Sequence, residues 1–401
     1  MLPHFREWID LYPGRSYPGP PPSQSTLDEY NAQEEGASPT LVQSSHDEHL
    51  DRSFTTRLPT EILGYIFILT LPDHEYIQPN IRSSPLVLGR VCNAWRAIAH
   101  AIPQLWSSLC AYYRQYDEQK QMVGIDAWLS RSRVLLLDIR IMVGEETTQA
   151  STEFPLAFSP HFSRCRKLSL MLQRHWMLGF LANSNLPLTA LENLELDFCN
   201  EDSSLHVPTF SISNSAPQLR RLSLMGHYVN NCDLGYSQLT HLITGPFRLI
   251  SGGPNFSSTQ YIAILRLCPQ LTHCSIGDIH LGLEGTPFVH HNLRSLVLYS
   301  WRSEVVEVML DLLTLPALRN IQISLGPLSH PKTWSTSTFE SFLCRSLCPL
   351  ESFTLESSHN IPQEIIHLIV SVPSLVQVAL WKGGQNVTPS YILQRVADRK
   401  A

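Results

Sequence analysis

Apolar residues follow two different periods along this chain. Between residues 57 and 109 they recur at helical spacing: Ile62, Leu63, Ile66, Phe67 and Leu69 form one broad stripe, and Leu88, Val91, Cys92, Trp95, Ile98 and Ala99 form another. Pro59 suits a first helical position, where a missing N–H costs nothing, and Glu61 falls near the positive end of the helix dipole. Ser84-Pro85 supplies the same opening for a second helix, and a third short helix is expected over 103–109 with Trp106 inward. A polar insert, PDHEYIQPNIRSS (72–84), separates the first two.

Beyond a linker helix expected over 116–131, the period changes. An apolar residue, two others, an apolar residue, one other and an apolar residue recur as VLLLDI (134–139), CRKLSL (165–170), LENLEL (191–196), LRRLSL (219–224) and LTHLIT (239–244). The pattern continues as LTHCSI (271–276), LRSLVL (293–298), LRNIQI (318–323), LESFTL (350–355) and LVQVAL (375–380). Short phrases such as SAPQ, CPQ, LPA and SVPS precede the later copies, and helix-like runs (TQYIAILRL, SEVVEVMLDLL, STFESFLCRS, PQEIIHLIV) precede those phrases. Each unit therefore reads as helix, Pro-marked turn and short strand, repeating at 20 to 32 residues. One unit cannot bury both of its apolar faces, so the units must stack. The expected fold is α/β: a small all-helical module followed by a curved solenoid whose parallel strand ladder lines the concave side.

The organisation is then a Pro/Ser-rich disordered tail over 1–52, a helical domain over 53–113, a linker helix over 114–132, the solenoid over 133–385 and a capping segment over 386–401. In the tail few large apolar residues are available to offset ordering entropy. A net charge of −6 gives no broad basic field for nucleic acid, and the densest apolar run, ILGYIFILTL, is too short to span a membrane. The N-terminus lacks the regions of a signal peptide, which points to the cytoplasm or nucleus. Nine cysteines without any C-x-x-C read as buried free thiols, with Cys92, Cys165 and Cys274 at apolar-periodic positions.

Catalytic and cofactor signatures are missing: no phosphate-binding glycine loop, no nucleophile elbow, no H-E-x-x-H pair. The densest histidines, His46 with His49 and His290-His291, read as solvated residues, and carboxylate pairs such as Glu145-Glu146 read as surface. No enzyme activity, cofactor or metal is expected. Aromatics fall at or just past the third apolar position of several repeats. For Phe198 and Tyr299 packing and partner contact both remain open, while Trp301 and Trp381, beside Arg302 and Lys382, read as substrate-binding anchors.

LPTEILGYIF, PLVLGRVCNAWRAIA and PQLWSSL, together and in this order, resemble an F-box, in the F-box-like form common in mushroom-type (basidiomycete) fungi. The resemblance covers 58–109, and the insert 72–84 departs from the compact family form. It implies a three-helix module that docks on the Skp-type adaptor of a cullin–RING ubiquitin ligase. The family's adaptor contacts carry over to Leu58, Pro59, Ile62, Leu63, Ile66 and Phe67, then to Leu88, Val91, Cys92 and Trp95. Leu58, Pro59 and Ile62 are expected at the docking edge, and Ile66, Leu88 and Trp95 in the module's own core. An F-box followed by leucine-rich repeats is a known family arrangement, in which the solenoid recruits a protein substrate and makes no bond itself. A non-catalytic interaction scaffold acting outside ubiquitination is the second reading.

Overall fold

The computed structural model describes residues 58–113, 118–143, 158–173, 186–199, 210–225, 232–245, 257–277, 282, 285–326, 335–358, 361 and 363–398. The tail over 1–52, the His46–His49 spot, the start of the linker helix and the Glu145-Glu146 pair lie outside them, as does the Phe198 side chain. The chain divides into two units; the first ends at Pro59, and only Leu58 and Pro59 of it are described. The second unit is Thr60–Ala401.

It opens with helix α1 (Thr60–Leu69), then α2 (Leu88–Val91), α3 (Asn93–Ala101) and a 3₁₀ turn (Pro103–Trp106). Two expectations are corrected here. Ser84 does not cap a helix: its hydroxyl pairs with that of Thr70 (2.6 Å), and α2 starts only at Leu88. The single apolar stripe over 88–99 is two helices, because Cys92 adopts extended backbone between them and its sulfur caps α3 by accepting the Trp95 N–H at 3.5 Å. Cys92, expected to be buried, is thus exposed, whereas Cys165, Cys268 and Cys274 are buried. Burial pushes those three thiols far up, Cys268 to about 12, which leaves them unreactive.

Leu109, expected in a third helix, lies instead in strand β1 (Ser108–Tyr113), the first strand of a twelve-stranded sheet. The others follow in chain order: β2 (Leu137–Val143), β3 (Cys165–Gln173), β4 (Asn193–Cys199), β5 (Arg221–Met225), β6 (His241–Thr244), β7 (His273–Gly277), β8 (Ser295–Ser300), β9 (Asn320–Leu325), β10 (Ser352–Ser357), β11 (Gln377–Lys382) and β12 (Gln385–Asn386). All neighbours from β1 to β11 pair parallel, and β12 closes the ladder antiparallel. The architecture is mixed α/β built on one long, mostly parallel ladder. Helices α5 (Ser258–Leu267), α6 (Ser303–Leu312), α7 (Thr336–Ser346) and α8 (Gln363–Ser371) precede β7, β9, β10 and β11, as the four helix-like runs predict. The expected linker helix, α4 (Glu118–Arg131), is the crossover between β1 and β2, and its Trp128 and Leu129 join the same core as Leu109 and Ile139. Among the described residues no helix is long and apolar enough to cross a membrane.

The register explains the repeat. Leu168, Leu194, Leu222, Leu242, Cys274, Leu296, Ile321, Phe353 and Val378 are successive cross-strand partners, and a second row, apolar except at Thr244, runs two residues further on. Both rows are buried. The turns repeat as well: Cys268, Leu315, Val372 and Ala216 each accept the N–H of the leucine three residues on, with a proline at the second turn position, where its fixed φ is already correct. Each later unit then ties to its predecessor through paired N–H groups, as Arg294 and Ser295 both donate to the Thr272 carbonyl (2.8 and 3.0 Å).

Nine of the ten motif copies keep this register, and the first is displaced. Val134 is 86% exposed, and β2 presents Ile139 and Ile141 opposite Leu168 and Leu170, with an irregularity at Leu137/Asp138. VLLLDIRI is apolar at enough positions to fit either frame. Arg164 decides it: its guanidinium donates to the Leu135 carbonyl (3.1 Å), the Arg133 carbonyl and Ser132 Oγ (3.1 Å), fixing the turn after α4 with Arg133 left-handed at φ 53°. Ile141→Ala should therefore cost about 2–5 kcal/mol in urea unfolding, and Val134→Ala less than about 0.5 kcal/mol; equal costs would contradict the register.

Candidate functional site

Two surfaces can meet a partner. The first is the outer side of α1. Leu63, Gly64 and Phe67 face inward; Phe67 is fully buried against Trp95 (ring centroids 4.8 Å), and a Cβ at Gly64 would come within 3.1 Å of Ile102 Cδ1. On the opposite side Ile62 (50% exposed), Tyr65, Ile66 (38%) and Leu69 stand one helical turn apart, in water. Val91 and Cys92 are exposed as well. Leu58 and Pro59, in the first unit, are also exposed.

The division of roles differs from the one the sequence predicts. Ile66, expected in the core, shares the outer face with Ile62. Leu63 and Phe67, expected among the contacts, are core residues with no surface to offer, whereas Leu88 is buried and Trp95 half-buried on Phe67, as expected of residues in the module's own core. Helical spacing alone shows that 62, 63, 66 and 67 lie on a wide stripe, and the packing of Trp95 and Ile102 decides which half is covered.

The insert between α1 and α2 is a strap bound to the sheet. Cys110 N–H donates to the Ile77 carbonyl (2.8 Å), Ile77 N–H to Ser108 Oγ (3.2 Å), and Ser108 Oγ to the Glu75 carbonyl (3.0 Å). Lys167 Nζ meets Glu75 Oε1 at 2.7 Å, and the Arg140 guanidinium lies 4.2 Å over the buried Tyr76 ring while holding Glu195 at 3.0 Å. Burial, then the charges of Glu195 and Glu75, push the Tyr76 hydroxyl pKa strongly up, so it stays neutral. Trp106 completes the junction by donating Nε1–H to Ala99 O (2.9 Å) and packing edge-on against Trp128 at 4.9 Å. The strap covers part of β1–β3 and joins the helices to the ladder. It escapes sequence reading because the bonds of Glu75 and Ile77 are made to strands that lie 31 to 92 positions away in the chain.

The second surface is the sheet face whose side chains alternate with the buried rows. From β4 onward it is lined by Glu195, Arg221, His241, His273, Val297, Gln322, Thr354 and Glu356, among others. Tyr299 and the two expected anchors, Trp301 and Trp381, are on it. Tyr299 and Trp301 meet edge to face at 5.7 Å, and Trp301 lies so close over Gly326 that a Cβ there would be 2.6 Å from Cε3, which only glycine permits. Trp381 pairs in register with Glu356, three strands from Tyr299 and so about 14 Å away; its indole Nε1 is buried. Tyr299 and Trp301 thus form one aromatic pair and Trp381 a separate spot. His290, expected to be solvated, is buried and closes a turn, bonding the Cys268 carbonyl through Nε2 (2.9 Å) and accepting Asn292 N–H.

Sequence reasoning passed over the stacked His241 and His273, one on each of two adjacent motif copies. Burial, the neighbouring His273 and Arg221 pull His241 from the ordinary 6.5 down to about 4, and burial with Arg221 and Arg294 lowers His273 too. Among the described residues no group of three His, Cys, Asp or Glu is placed to hold a metal. No protein-family model matches the chain, and no curated protein matches it in sequence.

Two outcomes follow. Tyr76→Ala should cost about 3–5 kcal/mol by urea unfolding, while Glu75→Ala, which removes a partly exposed ion pair, should stay under about 1 kcal/mol. His241 takes up a proton less readily folded than unfolded, so its contribution is intact above about 6.5 and lost as pH falls towards 4. The urea midpoint should drop over that window, and by less in His241→Asn.

Proposed function

We propose that the chain is the substrate-receptor subunit of a Skp–cullin–F-box type ubiquitin ligase, with an F-box-like module at α1–α3 and a leucine-rich-repeat solenoid behind it. The outer face of α1 carries the reading. Ile62, Tyr65, Ile66 and Leu69 form an uncovered apolar row on a helix whose other side is locked into the core, and such rows mark interaction surfaces. The Skp-type adaptor would seat on that row; Leu58 and Pro59 enter the proposal through the sequence resemblance alone.

The repeat sheet supports the recruiting half. It offers a broad polar face with the Tyr299–Trp301 pair, and the strap holds α1 against its first strands through hydrogen bonds and the Arg140–Tyr76 contact. A protein substrate held on that face would be kept near the ubiquitin-charged partner enzyme, raising the effective concentration of its lysines. The chain's own residues then bind and position, and the bond is made elsewhere in the complex.

The test is co-purification of Skp-type adaptor and cullin with the full chain, and again with Ile62→Asp plus Ile66→Asp. The wild type should retain adaptor, and the variant, altered only at exposed positions, should lose at least about tenfold while keeping its circular dichroism. Equal recovery from both, or none from either, would remove the ligase reading.

A further inference from the structure

The sheet face carries a cluster that the adaptor proposal does not use. His241 on β6 and His273 on β7 are register partners, and their rings stack with centroids 4.3 Å apart and planes 2° from parallel. Each ring is held by the threonine before it: His241 Nδ1 lies 3.0 Å from Thr240 Oγ1 and His273 Nδ1 lies 2.9 Å from Thr272 Oγ1. Those hydroxyls also lie 3.1 and 3.0 Å from the Arg220 and Thr240 carbonyls. With Nδ1 engaged in both rings, Nε2 is the position each imidazole can offer to a partner.

Positive charge flanks the stack on both sides. Arg221, on β5, is the register partner of His241, and Arg294, just before β8, donates its backbone N–H to the Thr272 carbonyl. Both arginines are exposed, and neither guanidinium bonds a described residue; by contrast Arg166 is held by Asp138, Arg140 by Glu195 and Arg319 by Glu351. The charged groups that face the imidazoles are Arg221 on one side and Arg294 on the other, with no described carboxylate opposing them. A metal ion does not suit the place, because lone pairs on parallel rings do not converge and two cations stand beside them.

We propose that Arg221, His241, His273 and Arg294 form a docking site for an acidic, extended segment of a partner protein. Charge complementarity selects the occupant. The two arginines are three strand spacings apart, about 14 Å, and side chains on one edge of an extended peptide recur every ~7 Å, so carboxylates four residues apart reach both arginines while one between them faces the imidazole pair. A carboxylate over the stack favours the imidazolium forms that burial and the arginines disfavour in the empty site. Binding then takes up protons and tightens as pH falls. The site does not depend on what α1 docks, so it stands or falls separately from the ligase reading.

The probe is a fluorescein-labelled peptide of alternating Glu and Ser, titrated by anisotropy into the full chain at constant ionic strength, at about pH 7.5 and about pH 6. Binding should be tighter at the lower pH and absent for the same peptide with Gln in place of Glu. Arg221→Ala with Arg294→Ala should weaken it at least about tenfold, His241→Asn with His273→Asn should abolish the pH dependence while leaving arginine-driven binding, and Arg90→Ala on α2 should change nothing. Calorimetry of the wild type in two buffers of different ionisation enthalpy should show net proton uptake, a readout independent of how any variant folds. Equal binding of the Gln peptide, an unaffected but folded arginine double variant, no proton uptake, or stronger binding of a single-stranded oligonucleotide of matched charge would each overturn the proposal.

Discussion

The continuous apolar ladder is the constraint on which the rest of the structure depends. Each strand buries two side chains per unit, such as Leu296 and Leu298, against register partners on both neighbouring strands, and no unit could bury them alone. In-register stacking has a second effect. Because side chains alternate across a strand, burying one set fixes every residue of the other set on the opposite face. The histidine stack, Arg221 and Tyr299 lie where they do because of the buried residues that alternate with them.

At the N-terminal end the same ladder takes on a different load. β1 begins directly after the 3₁₀ turn that carries Trp106, so the helical segment and the sheet share one core through Trp106, Trp128 and Leu109. The strap adds polar bonds on the other face, with Arg140 engaged at once by Tyr76, Ser169 and Glu195. There Arg140, Arg166 and Lys167 are held by Glu195, Asp138 and Glu75. Further along, at β5 to β8, the guanidinium groups of Arg221 and Arg294 bond no described residue. The face thus changes along its length from an internally neutralised junction to a surface with unspent positive charge.

The long periodic signals were legible in advance: the motif copies from Cys165 onward, the helices α5 to α8 before their strands, and the Pro-marked turns between. Failures came where local pattern admits two answers. VLLLDIRI can be framed at Val134 or at Ile139, and a guanidinium from Arg164 chooses. The stripe over 88–99 is apolar throughout, yet Cys92 breaks it in two. In α1 the stripe includes both Ile66 and Phe67, and only the position of Trp95 tells which one is covered. The polar insert carries no periodicity, and Glu75, Tyr76 and Ile77 find their partners on strands distant in sequence.

What the sequence determined by itself is the repeating unit, since a motif that must bury three apolar positions per copy has few ways to do so, and stacked parallel strands satisfy all the copies together. It also determined that α1 is a helix with more apolar surface than one contact can cover. The tertiary structure alone decided which residues of that helix stay in water, where the ladder begins, and that His241 and His273 meet between Arg221 and Arg294. Those outcomes depend on contacts between residues tens of positions apart, where each partner's chemistry is visible in the chain but their distance is set only when the strands come into register.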